Sequence, residues 1–412
     1  MPVRTMVTLW PLFFGLSLIG LAIGVQGSLL GFRAETEGFR GPLIGILMSA
    51  YYGGFLAGAM LAPRLIASVG HIRTFGAVSA LASITILVHA SFIEPITWAA
   101  MRFLTGFAFS SIFVVSESWL NQAANNSNRG QILSVYMVIQ LAGTTAGQFM
   151  LNLSDPAGFG LFILISVMVS FAAIPILMTV IATPAPEIAE RVSIAHLWRR
   201  APMGVIGIVL VQWCVSIVFG MGAVYAAKLG MNVSEVAIFM GSMMGGAMLL
   251  QWPLGQISDR VDRRWVIGFS AIVSVVFAVL ASREQQAGPW LYVCSFIFGG
   301  FCLSQYSLVV ALIHDHLKPS EMVPASGTIV MICGLVAILG PIMVAFAMEI
   351  WGLASYFLML AGALAILAVT AIWRVLTIPA LPAEYKIHSV IQAPVTPVGS
   401  VLLAEEKEVD SD

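Results

Sequence analysis

Eleven stretches of at least 18 residues carry no Asp, Glu, Lys or Arg, and these stretches decide what the chain can fold into. They run 5–32, 41–63, 74–93, 130–154, 156–186, 201–227, 236–258, 265–282, 285–314, 322–348 and 350–373. A helix needs about 20 mainly apolar residues to cross the hydrocarbon core of a bilayer. Backbone amides in that core must be satisfied without water, so runs of this length become helices. Residues 95–116 form one more span, interrupted only by Arg102, which makes twelve. Residues 387–404 are also uncharged, but Pro394, Pro397 and several Ser, Thr and Gln residues exclude them.

Charged residues make up 9% of the 412-residue chain. A soluble protein needs about a quarter to cover its surface, so this surface faces a lipid bilayer. A formal net charge of −1 excludes a nucleic-acid binder that works by counterion release. Cys214, Cys294, Cys302 and Cys333 lie in apolar runs without CxxC spacing and read as small core hydrophobes. No Walker loop, zinc-ligand spacing or nucleophile constellation is present, so neither an enzyme nor a metal or other cofactor is expected. The first apolar run is too long for the h-region of a signal peptide and is expected to stay in the membrane.

Loop charge sets the expected orientation. With the N-terminus in the cytoplasm, fourteen basic residues fall in inner segments and four (Arg33, Arg40, Lys228 and Arg283) in outer loops. Both termini are therefore expected inside. The expected division is an N-terminal six-helix bundle over 1–181, a cytoplasmic linker over 182–202, a C-terminal bundle over 203–376 and a disordered cytoplasmic tail over 377–412. The linker reads as a polar, basic hinge containing Pro184, Pro186, Arg191, Arg199 and Arg200.

The chain also repeats itself. Shifted by 192, residues 53–76 lie over 245–268 without gaps, and Gly53, Gly54, Val69 and Gly76 fall on Gly245, Gly246, Val261 and Gly268. A shift of 193 places Gly106 on Gly299 and Gly147 on Gly340. A near-constant offset requires a duplicated six-helix unit. Six is even, so the copies keep one orientation, about an axis along the membrane normal. The fold class expected is all-α, with twelve transmembrane helices in two pseudo-symmetric bundles.

The segment from Gly255 to Arg264, GQISDRVDRR, resembles the signature loop between the second and third helices of a half in the major facilitator superfamily. Arg102-Phe-Leu-Thr-Gly106 resembles that superfamily's fourth-helix motif. VGHIR (69–73), SESWLN (116–121) and NRGQILSVYM (128–137) are similar to its YcaD-type members. The resemblance covers about residues 5–376. It implies alternating-access transport by two bundles around a central site lined by the first, fourth, seventh and tenth helices. It also implies that the loop aspartate of one half docks at a helix start in the other when the inner side is closed. For Asp259 that start is span five, at Arg129 and Gly130; Arg260 and Arg263 complete the charged loop. In the first half Ala67, Ser68 and His71 stand where Asp259, Arg260 and Arg263 stand in the second, so any latch is single. The alternative is that Asp259 only folds its own loop.

Arg102 is the residue that stands out. It sits seven residues into its span, roughly 10 Å deep by helical rise. A guanidinium at the centre of a span costs about 2.5–3.5 kcal/mol on insertion scales. It faces either a cavity, where the resemblance gives it a role in proton coupling or anion contact, or the outer headgroups by snorkelling. Glu117 lies near the negative end of the same helix and needs a cation, which Arg73, His71 or Arg129 could supply. It reads as a structural ion pair or as a proton carrier. His89 reads as interfacial. Gln26, Ser110, Gln212, Trp213, Gln305 and Tyr306 on the lining spans, with Gln140 and Gln148 on span five, offer donors, acceptors and stacking faces to a polar ligand. Each could equally make an ordinary interhelical hydrogen bond. Met243, Met244 and Met248, like the glycine runs at 53–58 and 241–246, read as packing. Gly143 and Gly147 match the fifth-helix antiporter motif in spacing, but Gln148 replaces its usual proline.

The expectation is a monomeric secondary transporter of the inner membrane for a small polar or amphipathic, even anionic, solute, with protons as coupling ion. The rivals are an efflux pump for apolar drugs, with a largely aromatic cavity, and a non-transporting membrane scaffold.

Overall fold

The computed structural model describes residues 3–123, 129–179 and 192–379, with 3–8, 129, 130, 319 and 323 in backbone alone. The expected tail and most of the expected linker, Arg191 included, lie outside them.

Among the described residues, twelve helices are long and apolar enough to cross a membrane. In the first half they are α1 (Val3–Thr36), α2 (Gly41–Val69), α3 (His71–Ser91), α4 (Pro95–Ala123), α5 (Arg129–Phe149) and α6 (Gly160–Leu177). A 3₁₀ turn, Met150–Leu153, extends α5. In the second half they are α8 (Pro202–Lys228), α9 (Val233–Arg260), α10 (Arg263–Ala281), α11 (Pro289–Asp315), α12 (Pro319–Trp351) and α13 (Ser355–Thr377). Between the halves lies α7, Ile194–Arg200, with the Ser193 side chain accepting from the His196 amide. A short helix thus occupies part of what reads in sequence as a loose hinge. It bonds to the start of α12 through His196 Nε2 and Glu321 Oε1, 3.0 Å apart. The side that carries α7 is the linker face; the opposite side is the far face.

The helices outrun the uncharged stretches at their ends. Arg33, expected in a loop, sits in the last turn of α1, buried, and donates to Glu37 (2.6 Å) and to the Pro156 carbonyl (2.7 Å). Large hydrophobic side chains point outward along most spans, as a lipid-facing surface demands. Exposed Trp198, Trp265 and Trp373 stand near the linker face and Trp290 and Trp351 near the far face, matching the interfacial preference of tryptophan.

The duplication is visible in the packing. α1 packs on α5 and α6, α2 on α4, and α3 on α4 and α6; α8 packs on α12 and α13, α9 on α11, and α10 on α11 and α13. These are the same five pairings. The offset glycines make them. A Cβ on Gly54 would fall onto the Phe103 carbonyl of α4, and one on Gly246 onto the Phe296 carbonyl of α11. Gly106 lies against Tyr51 as Gly299 lies against Met243, and Gly147 lies against Leu21 as Gly340 lies against Trp213. With little hydrophobic drive between helices in lipid, close backbone approach over small residues is what holds them. Gly38 and Gly230, also 192 apart, follow the first helix of each half with φ of 76° and 83°, a left-handed conformation that glycine adopts without steric cost.

Backbone on the receiving side cannot move aside as a rotamer can, and overpacking costs about 1–3 kcal/mol. Gly54→Ala and Gly246→Ala are therefore expected to lower the unfolding midpoint by several degrees in a thermal melt. Gly362→Ala, where nothing lies within 4 Å of the new methyl, should leave it unchanged or slightly raised by helix propensity.

Candidate functional site: a central cavity between the halves

The two halves meet along α1–α8, α2–α12 and α5–α9. Between them is a cavity of about 90 Å³. Contacts near the far face close over it. Gly31 of α1 lies on Ala223 and Val224 of α8, and Gly45 of α2 on Pro341 and Ala345 of α12. Lys228 Nζ pairs with Glu35 Oε2 at 3.0 Å, and the Ser234 hydroxyl donates to Asn152 Oδ1 at 2.6 Å. All four contacts join one half to the other.

Five of the nine cavity candidates line it: Gln26 of α1, Arg102 of α4, Gln148 of α5, Gln212 of α8 and Tyr306 of α11. The other four do not. Ser110 is buried beside Gly58 of α2, and Gln140 is buried against Gly20 of α1. Gln305 is buried off the cavity, and half-buried Trp213 packs on the core, its carbonyl beside Gly340. The lining is also broader than four helices. α2 adds Tyr51, Tyr52 and Phe55, α9 adds Met240 and Met244, and α12 adds Cys333. Met244 is thus a lining residue as well as a packing one. One signal in the sequence could have found the α2 face. Tyrosine favours the membrane interface, yet Tyr51 and Tyr52 stand ten residues or more into their span, near mid-membrane by helical rise.

Arg102 is buried and makes no ion pair among the described residues. Its Nη2 donates to Met48 Sδ at 3.4 Å, and its guanidinium carbon sits 4.6 Å from the centre of the Tyr51 ring. Both partners are uncharged. A soft sulfur and a π face hold the cation in place without neutralising it, and its Nε has no hydrogen-bond partner.

The glutamines differ in what they are free to do. Gln148 accepts from Ser28 and donates to the Gly24 carbonyl at 2.9 Å, so it clamps α5 to α1. Gln26 Nε2 and Gln212 Oε1 are buried with no partner. A buried amide left unpaired costs about 1–3 kcal/mol, and natural proteins rarely leave such groups without a reason.

The gating and coupling candidates lie elsewhere. Glu117 is buried and accepts from the Tyr136 hydroxyl at 2.9 Å. Arg73 is exposed and forms no ion pair among the described residues, while His71 Nε2 lies 2.9 Å from Ser118 Oγ. The side chain of Arg129 is outside the described residues. Arg260 is exposed at the end of α9. Arg263 is buried and binds Asp315 Oδ2 at 3.0 Å and Ser258 Oγ at 3.2 Å, with Asp259 Oδ1 at 3.4 Å. His89 is fully buried, its Nδ1 2.8 Å from the Thr85 carbonyl. It sits in the last turn of α3, with the Trp98 ring set edge-on against it.

Two matching sets of six spans around a mainly apolar cavity with one charged side chain among the described residues define a multi-pass membrane transporter. The sequence profile of the Major Facilitator Superfamily matches residues 12–257 and again 204–405, and the chain belongs to that superfamily. Among similar proteins, an uncharacterized MFS-type transporter of Yersinia pestis (strain Pestoides F) is 25% identical over 356 residues, 85% of this chain and 91% of the relative. The uncharacterized MFS-type transporter YcaD of Escherichia fergusonii is 25% identical over 353 residues, again 85% and 91%. Among solved structures, a single-site variant of the nucleoside transporter NupG superposes with a TM-score of 0.76 at 15% identity, covering 90% of this chain and 100% of its own. A bacterial homolog of the human lysosomal transporter Spinster gives 0.69 at 13%, covering 98% and 99%.

Proposed function

We propose that the chain is a secondary active carrier that moves a small polar or amphipathic anion across the inner membrane by alternating access, as a monomer coupled to protons. The observation that carries this reading is Arg102: a buried cation on a cavity that no Asp or Glu lines among the described residues. Without a counter-charge such a group is costly, and an anionic solute would supply one. Arg102 and the three lining glutamines argue against an efflux pump built on an aromatic cavity alone.

Alternating access needs one closure on each side. The far-face contacts, Lys228–Glu35 among them, supply the outer one in this reading. The inner one is assigned, as part of the same reading, to Asp259 docking at the start of α5. The basic linker face is taken as cytoplasmic. An impermeant maleimide is expected to label Gln285→Cys but not Arg199→Cys in intact cells carrying an otherwise cysteine-free protein; the reverse would invert the topology.

Uptake by proteoliposomes across a metabolite panel, with and without an imposed pH gradient, tests the function. An anionic solute is expected to accumulate, and faster with the interior alkaline. Uptake of none of the panel, with the protein folded, would favour the scaffold reading.

A further inference from the structure

The cavity specifies more than an anion. Three of its lining side chains hold buried polar atoms that the protein leaves unpartnered: Arg102 Nε, Gln26 Nε2 and Gln212 Oε1. Two are donors, both on the first half. One is an acceptor, on α8 of the second half. The remaining polar lining is largely spoken for. Gln148 is bonded on both amide atoms, and the Tyr52 hydroxyl donates to the Ser216 carbonyl at 3.2 Å. A solute that satisfies the set accepts from Arg102 and Gln26 with one group and donates to Gln212 with another.

Charge and size narrow the class. Arg102 is the single charged residue among the lining. A monoanion neutralises it; a dianion leaves an uncompensated buried charge, and a zwitterion brings an ammonium with no carboxylate to meet it. A cavity of about 150 Å³ takes a benzene ring, so the 90 Å³ present here suits a solute smaller than benzene, about four to five non-hydrogen atoms on that scale. Resting on the carrier reading above, we infer that the substrate is a short hydroxylated monocarboxylate, of the size and chemistry of a two-carbon hydroxy acid. Its carboxylate sits on Arg102 and Gln26, and its hydroxyl donates to Gln212 Oε1. A solute paired with both halves at once also draws them together, which is how a ligand comes to favour one carrier state over another.

Binding to the purified full-length protein in nanodiscs, read by competition against radiolabelled glycolate, tests this with near-isosteric probes. Glycolate is expected to bind at least about tenfold more tightly than glycolamide, which lacks the charge, and than acetate, which lacks the hydroxyl. Glycine, the zwitterion, and oxalate, the dianion, should compete poorly, and 4-hydroxybenzoate should be excluded by size. Gln212→Leu is expected to erase the preference for glycolate over acetate while leaving acetate affinity in place; Arg102→Gln should erase the preference over glycolamide. Thermal melts of each variant verify folding, and the Gln212→Leu arm stands even where the arginine variant is lost. Equal binding of glycolamide and glycolate, tighter binding of 4-hydroxybenzoate, or an unchanged hydroxyl preference in Gln212→Leu overturns the inference. If proteoliposomes move another solute while no short acid binds, this assignment fails and the carrier reading survives. If nothing is moved, both fail.

Discussion

Arg102→Gln is expected to yield a protein that expresses and folds near the wild-type level and no longer moves its solute. Folding is spared because the substitution removes a buried cation that has no carboxylate partner, relieving an insertion cost of about 2.5–3.5 kcal/mol at the centre of a span. What it gives up is a contact to a methionine sulfur and a tyrosine face, which a glutamine of similar length partly refills. Transport is lost because a hydrogen bond to a charged group contributes about 1.5–3 kcal/mol, roughly a 10- to 150-fold loss of affinity. Arg102→Lys keeps the charge but loses the planar fork that stacks on Tyr51, so intermediate uptake is expected. Initial uptake rates in proteoliposomes, normalised to folded protein, check both. Wild-type rates in the glutamine variant would remove Arg102 from the site.

A stability effect of comparable size is expected at a second buried guanidinium, Arg263. Arg263 joins the start of α10 to the end of α11 through Asp315, and the two side chains are 1% and 3% exposed. Taking away one partner of a buried pair costs about 3–5 kcal/mol, because the other charge stays behind in a poor solvent for it. Asp315→Ala should therefore lower the unfolding midpoint sharply. Asp259→Ala should not, since that carboxylate is 20% exposed and its contact to Arg263 is the longer one at 3.4 Å. A large shift in the state equilibrium with little loss of stability for Asp259→Ala would fit a latch; comparable destabilisation by both variants would make the whole loop structural.

The sequence announced these two arginines in different ways, and the difference shows what can be read before a structure. Helices, their number and the duplication follow from constraints that act along the chain: length without charge and glycines at a fixed offset. The site depends on which face of each helix turns inward, and one residue turns a helix by about 100°. That phase separates neighbours. Gln212 reaches the cavity and Trp213 does not; Tyr306 does and Gln305 does not; Phe109 does and Ser110 does not. Residue type alone selected both members of the first two pairs, and the wrong member of the third. Arg102 was narrowed by its charge to a cavity or the headgroups, and it lines the cavity. The tyrosines of α2 were missed because the resemblance pointed to other helices. Arg263, marked for a gate by its loop motif, has a partner, Asp315, that lies 52 residues away, beyond the reach of any local pattern.

The seam between the halves also bears on how fast a carrier of this kind can turn over. Near the far face it is formed by Gly31, Gly45 and Gly220, each set against Ala223, Pro341, Ala345 or a similarly short surface. Beside them, Phe149 of α5 seats its ring on Gly241 of α9. At those three glycines, parting the halves withdraws no long side chain from a socket. The partly exposed Lys228–Glu35 pair adds only a small tether, since such pairs are worth about 0–1 kcal/mol. Smooth surfaces of this kind make for a low activation barrier as well as a close fit, so opening belongs with the microsecond-to-millisecond hinge and shear motions of packed domains. Bulk introduced along that seam would be felt first as a slower cycle.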